Sequence, residues 1–185
     1  DYNNNRIQKW APNSVSGETI ISGVTNPMDV QIASNGDIFV LETGKVTKWT
    51  SSGTLIGVVS SGISSSPSGM YIDANLNVVT TGFYDNSVYK STPSSVPAVK
   101  LIDNPGMNLI HWPEGIISDS SNNLYISNRN GNIVKWNATN QQISTIISIT
   151  GVRDLIINSK GNLIVPKGGS GKQDFSFSIA EYTLT

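Results

Sequence analysis

The 185-residue chain has no cysteine, so disulfides and thiolate metal sites are excluded. It has one histidine, His111, which cannot build a metal centre that needs several imidazoles. No apolar run approaches the ~18 residues that a membrane-spanning helix needs. Charge is sparse: 14% of residues are Asp, Glu, Lys or Arg, and the net charge is -1. Scattered Lys and Arg in a near-neutral chain argue against nucleic acid as an electrostatic partner. No leader segment is visible, and the chain opens on Asp1 rather than Met, which reads as processing or truncation. No segment combines a 3.6-residue apolar period with helix caps.

What is abundant is Ser, Asn, Thr and Gly, interleaved with Ile, Val, Trp and Tyr. The β-branched and aromatic residues favour pleated, half-buried strands, and Asn and Gly favour tight turns. These residues recur in phrases. One phrase reads Ile7-Gln8-Lys9-Trp10, Val46-Thr47-Lys48-Trp49, Ser87-Val88-Tyr89-Lys90, Ile133-Val134-Lys135-Trp136 and Ile179-Ala180-Glu181-Tyr182. A longer phrase precedes the last four, beginning at Pro27, Pro67, Pro113 and Val152, starts that lie 39 to 46 residues apart. Periods of 20–50 residues signal solenoids, propellers or arrays.

Each unit holds four strand candidates. The first follows the Pro position. A turn comes next at Asn35-Gly36, Asn75-Leu76-Asn77, Asn122-Asn123 or Lys160-Gly161-Asn162. Hairpin turns need positive φ, which Asn and Gly tolerate best. The second strand alternates, as in Asp37-Ile38-Phe39-Val40-Leu41. The third is the Lys-Trp phrase. The fourth is Thr54–Val59, Val99–Ile102 or Ile143–Ser148. Four antiparallel strands at this period predict the blades of an all-β propeller, stacked face to face to bury apolar surface that no blade buries alone.

The phrases resemble the NHL repeat, whose pattern is Pro-x-Gly-Ile-x-x-Asp-x-x-Gly-Asn-Ile-Tyr-Val-x-Asp, then Asn-x-Arg-Ile-x-x-Phe/Trp. Residues Pro113, Gly115, Ile116, Asp119, Asn123, Leu124, Tyr125, Ile126, Asn132, Ile133 and Trp136 fit it in one unit. The Asp that closes the second strand is kept at Asp1 but replaced by Glu42, Gly82, Asn128 and Lys167 elsewhere. The resemblance implies an NHL-type β-propeller of about four and a half blades: an incomplete blade over 1–26, blades at 27–66, 67–112 and 113–151, and a last blade at 152–185 lacking its outer strand. Six-bladed NHL rings need roughly 250 residues at this repeat length, so the chain reads as a fragment of such a ring. An open arc bares two blade faces. If each carries roughly 400 Å² of apolar surface, about 10 kcal/mol of burial per face is forfeited, which predicts poor solubility or self-association.

Candidate chemistry gathers at the channel mouth, where the first strands begin. Symmetry brings Asp29, Glu114, Arg153 and Asp154 toward the axis. The three carboxylates could hold a hard cation such as Ca²⁺ through oxygen ligands; carboxylates that are solvated or paired with Arg153 are the plainer reading. His111 and Trp112 precede the first strand of one unit, with Trp112 the better candidate for an exposed anchor. Trp10, Trp49 and Trp136 sit at equivalent positions and read as inter-blade packing rather than a binding surface. Gly168-Gly-Ser-Gly-Lys172 hints at a phosphate loop but lacks the full spacing and the following helix. Asn137-Ala138-Thr139 is a glycosylation acceptor pattern, and with the low charge it favours an extracellular protein. No catalytic motif stands out. The expected function is a non-enzymatic propeller module that binds a protein or small ligand, with no cofactor unless Ca²⁺. The alternative is a metal-dependent lactonase- or lyase-type enzyme at the central channel. One histidine cannot supply the zinc site of the amidating lyases that share this propeller, and the Glu, Asn and Asp motif of gluconolactonase-like propellers is not recognisable.

Overall fold

A computed structural model describes residues 1–103, 109–149, 151–167 and 178–184. The Gly-rich segment of the last unit, Gly168 to Lys172, lies outside the described residues. Among the described residues there is no α-helix, and seventeen strands fall into groups of two, four, four, four and three. The first unit contributes β1 (Arg6–Trp10) and β2 (Gly17–Ser22). The second holds β3 (Asp29–Ile32), β4 (Ile38–Glu42), β5 (Lys45–Trp49) and β6 (Leu55–Ser61). The third holds β7 (Pro67–Ile72), β8 (Val78–Gly82), β9 (Ser87–Thr92) and β10 (Ser95–Asp103). The fourth holds β11 (Pro113–Ser118), β12 (Leu124–Asn128), β13 (Asn132–Trp136) and β14 (Ile143–Ser148). The last holds β15 (Ile156–Ile157), β16 (Leu163–Lys167) and β17 (Ser178–Tyr182). Within each unit, sequential strands pair antiparallel. The architecture is that of a β-propeller.

The turn between first and second strands is the same device four times. Gly36, Leu76, Asn122 and Gly161 all have φ between 62° and 87°. Their N–H groups donate to the carbonyls of Ala33, Asp73, Asp119 and Asn158. In three copies the side chain of that acceptor residue also closes the turn: Asp73, Asp119 and Asn158 each accept two backbone N–H bonds from the residues two and four ahead. The Asp of the repeat phrase is therefore a turn-former, in the manner of Asx turns.

Packing runs between units, as alternation along a strand requires. In the second unit, Ile38, Val40 and Trp49 face backward onto Ile7, Ile21 and Val24. The intervening Phe39, Leu41 and Val46 face forward onto Met70, Val78 and Tyr89 of the third unit. The next two junctions repeat the scheme, with Leu124, Ile126, Val134 and Trp136 against Val79, Val88 and Ile102, then Leu163, Val165 and Tyr182 against Tyr125 and Ile133. Trp49 and Trp136 thus pack between units. Trp10 does not: it is 56% exposed and lies along Gly17.

The pairing also corrects the register of the third unit. Ser91, not Lys90, stands opposite Val78, as Trp49 stands opposite Ile38 and Trp136 opposite Leu124. The phrase keeps its Lys there and replaces its Trp by Ser. The small side chain lets two outer strands meet. The Ser91 hydroxyl hydrogen-bonds that of Ser60 at 2.7 Å, and Ser61 of β6 pairs in parallel with Pro97 of β10. Two four-stranded meanders are thereby joined into one eight-stranded sheet.

Candidate functional site

The inner strands β3, β7, β11 and β15 line a cleft of about 510 Å³. It is bordered by Asp29, Ser68, Glu114, Arg153 and Asp154, while His111 and Trp112 do not line it. The walls approach closely because two of the strands carry Gly. A Cβ on Gly69 would lie 2.2 Å from the Glu114 carbonyl oxygen, and one on Gly115 would lie 2.9 Å from that of Arg153. Those are backbone atoms of the following unit, which explains the Gly of the Pro-x-Gly phrase.

A hydroxyl from the second strand clasps each close approach. Thr81 Oγ1 accepts from Gly69 N–H at 2.9 Å and donates to the Glu114 carbonyl at 3.0 Å. Ser127 Oγ accepts from Gly115 N–H at 2.9 Å and donates to the Arg153 carbonyl at 3.2 Å. The ladder slips between Pro67 and Met70 and between Pro113 and Ile116, freeing these glycine N–H groups for the hydroxyl. Ser68 adds a bond to the Pro113 carbonyl at 2.5 Å.

The second unit solves the junction differently. Asp29 stands where the third and fourth units have Gly, and Leu41 where they have Thr and Ser. The Asp29 carboxylate reaches across, accepting from Met70 N–H at 3.0 Å and from its neighbour Val30 N–H at 2.7 Å. Burial raises its pKa above the ordinary carboxylate value; the two N–H bonds oppose the rise, and the nearby Asp154 charge adds to it. Asp154 is exposed and accepts from Leu155 N–H at 2.8 Å. Glu114 Oε2 is buried with no hydrogen-bond partner. Among the described residues no group of three or more His, Cys, Asp or Glu could hold a metal ion. Asp29, Glu114 and Asp154 border one cleft but are not such a set, and each Asp29 oxygen already accepts a backbone N–H.

His111 and Trp112 belong to the loop entering β11. Trp112 has φ 51°, a left-handed conformation that costs a bulky residue about 1–2 kcal/mol. Its backbone is held on both sides: its N–H donates to Asn86 Oδ1 at 2.8 Å, and its carbonyl accepts from Arg129 N–H at 3.1 Å. Asn128, buried at the end of β12, holds the same loop, taking His111 N–H on Oδ1 and giving Nδ2 to the Leu109 carbonyl. Around Trp112 stands an aromatic group. His111 stacks on it at 4.4 Å between ring centres, and Phe83 lies nearly parallel at 6.1 Å. Tyr84 meets Phe83 edge-on, and the Arg129 guanidinium sits over the Phe83 ring at 5.5 Å. Trp112 is 41% exposed and Tyr84 74%.

Sequence reasoning found Trp112 and missed Phe83, Tyr84 and Arg129. Their signal was present: they directly follow Gly82 and Asn128, two of the four positions where the second strand's closing Asp is replaced. At Gly82 the missing carboxylate is supplied by Asp85, whose Oδ1 fills the space a side chain there would take. Asp85 accepts from Tyr89 hydroxyl, as Glu42 accepts from Thr47 at the equivalent position.

Asn137 sits in the turn between β13 and β14. Its Oδ1 accepts from Thr139 and Asn140 N–H, and Thr139 is exposed.

No family model matches the chain, and no curated protein matches it. Solved structures do resemble it in fold. Virginiamycin B lyase of Staphylococcus aureus superposes with a TM-score of 0.66 at 14% identity over 100% of this chain and 65% of the lyase. A chain of the nidogen/laminin complex gives 0.72 at 17% identity, over 88% of this chain and 64% of that one. The extracellular domain of the one-component system BT4673 from B. thetaiotaomicron gives 0.66 at 12% identity, over 98% of this chain and 29% of that one. The chain thus spans just under two thirds of the lyase it resembles. An enzyme, a chain of a protein complex and an extracellular domain share the fold, so the fold alone assigns no activity.

Proposed function

We propose that the chain is an NHL-type propeller module that binds a protein or small ligand without transforming it. The observation that carries this reading is the Trp112 group. Two exposed aromatics, Trp112 and Tyr84, are backed by His111, Phe83 and Arg129 and fixed through a strained backbone by Asn86. Strain held in place by dedicated hydrogen bonds clusters at functional sites. Aromatic and Arg anchors carry most of the energy of protein interfaces. The group stands on loops at the end of the units where the inner strands begin, which is also the end bordered by Glu114 and Arg153. Extracellular placement agrees with the low charge and with Asn137, whose turn lies at the other end of its strand pair.

The test is a binding screen of the intact chain against arrayed peptides, proteins and glycans, repeated with Trp112→Ala. The expected result is a ligand whose affinity falls at least about tenfold in the variant, the effect of losing a central aromatic anchor, with thermal stability retained. Equal binding by both proteins removes Trp112 from the site.

A second reading, a metal-dependent lactonase or lyase at the channel, draws on the unpartnered Glu114 Oε2 at the cleft. Its donor set is incomplete for a metal, so no step is derived through one. Metal analysis of the purified chain with Glu114→Ala and Asp154→Ala separates the two: stoichiometric metal lost in both variants supports the enzyme.

A further inference from the structure

The repeats allow each position to be compared with its own copies, and the comparison isolates a pocket away from the Trp112 group. A Lys stands on the third strand of the second, third and fourth units, as Lys48, Lys90 and Lys135. Each lies opposite the same residue of the second strand. In the second unit that residue is Phe39, and the Lys48 ammonium is 5.6 Å from its ring centre and 2.7 Å from the Asp37 carboxylate. In the fourth it is Tyr125, with the Lys135 ammonium at 5.5 Å. In the third it is Val79, and Asn77 stands where the second unit has Asp37. Lys90 is half-buried and, among the described residues, has neither a ring nor a carboxylate partner.

The facing wall changes in step. Trp49 Nε1 donates to Thr47 Oγ1 at 2.9 Å. In the fourth unit Val134 stands at the Thr47 position, so Trp136 Nε1 has no hydrogen bond among the described residues. Between these walls lies a pocket of about 330 Å³, bordered by Val79, Lys90, Leu101, Leu124 and Trp136. It therefore combines an apolar lining, a valine where two copies have a ring, and two donors without acceptors. Asp73 also borders it, but its oxygens already accept from Asn75 N–H, Asn77 N–H and Asn77 Nδ2. One free ammonium beside one committed carboxylate suits a monoanion, because a second negative charge would meet Asp73.

We propose that this pocket, between the third and fourth units, binds an aromatic monocarboxylate. Its ring rests on Val79 and Leu124, taking the part that Phe39 and Tyr125 play in their own units. Its carboxylate accepts from Lys90 Nζ and Trp136 Nε1, and the bond to the ammonium is charge-assisted.

Benzoate is the probe. It is titrated into the 185-residue chain while the indole N–H signal of Trp136, identified by its loss in Trp136→Phe, is followed by NMR. A saturable shift is expected. Acetate lacks the ring, benzamide lacks the charge, and inorganic phosphate carries too much of it; each is expected to bind at least about tenfold more weakly. Lys90→Met is expected to weaken benzoate at least about tenfold, the effect of losing one hydrogen bond to a charged group. Val79→Phe restores the ring and is expected to abolish binding with the thermal midpoint retained. A Trp136 signal that benzoate does not move overturns the proposal. So does equal affinity for any of the three comparison ligands, or equal affinity of the Lys90→Met chain for benzoate. A Val79→Phe chain that binds like the parent, or that loses its fold, shows that ring-sized space is not there and overturns it too. Trp112→Ala leaves benzoate binding unchanged, so failure here is distinct from failure of the reading built on Trp112.

Discussion

Gly69→Ala tests the close stacking of inner strands that builds the cleft. The new Cβ would lie 2.2 Å from the Glu114 carbonyl oxygen and 3.2 Å from its carbonyl carbon. The obstacle is backbone, so it cannot rotate away. Restoring contact distance requires β11 to retreat by about an ångström, which stretches the bond from Thr81 to the Glu114 carbonyl. Overpacking of this kind costs roughly 1–3 kcal/mol. A weakened bond adds about 0.5–1.5 kcal/mol. Gly69 has no left-handed backbone to relieve, so the better β propensity of Ala offsets only a few tenths of this. The net expectation is a loss of about 2–4 kcal/mol. For a chain of this size each kcal/mol lowers the thermal midpoint by about 2–4 °C, so the midpoint should fall by roughly 5–15 °C. Thermal unfolding followed by circular dichroism reads it, with exposed Ser120→Ala as the control. A midpoint equal to that of the control would show that the inner strands are not in contact here, and the derivation of the Pro-x-Gly phrase would fail.

Ser127→Ala should destabilise by about 1–3 kcal/mol, since it leaves the buried Gly115 N–H and the Arg153 carbonyl without their shared partner; Ser127→Thr should recover most of the loss in a urea titration. Asp29→Asn should stabilise at neutral pH. The folded pKa of Asp29 is raised by burial, so the parent loses stability as pH climbs from the unfolded value toward the folded one. The Asn variant keeps an oxygen for Met70 N–H, gives up the bond from Val30 N–H as the protonated acid also largely does, and has no charge to bury; its advantage in urea midpoint should therefore be present at pH 7 and vanish below about pH 3.9. A destabilised Asn variant at pH 7 in calcium-free buffer would refute the account. Asn86→Ala should cost about 1–3 kcal/mol, because it unpairs Trp112 N–H and places Ala at φ 51°. It should also weaken any ligand of the Trp112 group more than Tyr84→Ala does, measured by titration calorimetry.

The fold was legible because its determinants are local and repeated. A left-handed turn demands Gly or Asn, and Gly36, Asn122 and Gly161 announce it. Leu76 does not, and only its flanking Asn75 and Asn77 mark that turn. Alternation along β4 and β12 declares two buried faces once stacking is assumed. What stayed hidden was set by partners distant in the chain. A Lys-Trp phrase is aligned most easily by ending on its last matching residue, which sets Lys90 at the position of Trp49. The pairing partners Val78 and Ser91, together with the bond from Ser60, decide otherwise, and no local pattern encodes a hydroxyl 31 residues away. The carboxylates show the same limit. In sequence Asp29, Glu114 and Asp154 look like three equivalent acids around an axis. In three dimensions Asp29 substitutes for a Gly–hydroxyl clasp, Glu114 shares its residue with the carbonyl that such a clasp grips, and Asp154 is exposed. Equivalence of position therefore implies equivalence of place, but not of task, and tasks diverge where the repeat breaks its own rule. Gly82 and Asn128 are such breaks. There the closing Asp is gone, the loops beyond them are re-anchored by Asp85 and by Asn128 itself, and Phe83, Tyr84 and Arg129 are delivered beside Trp112.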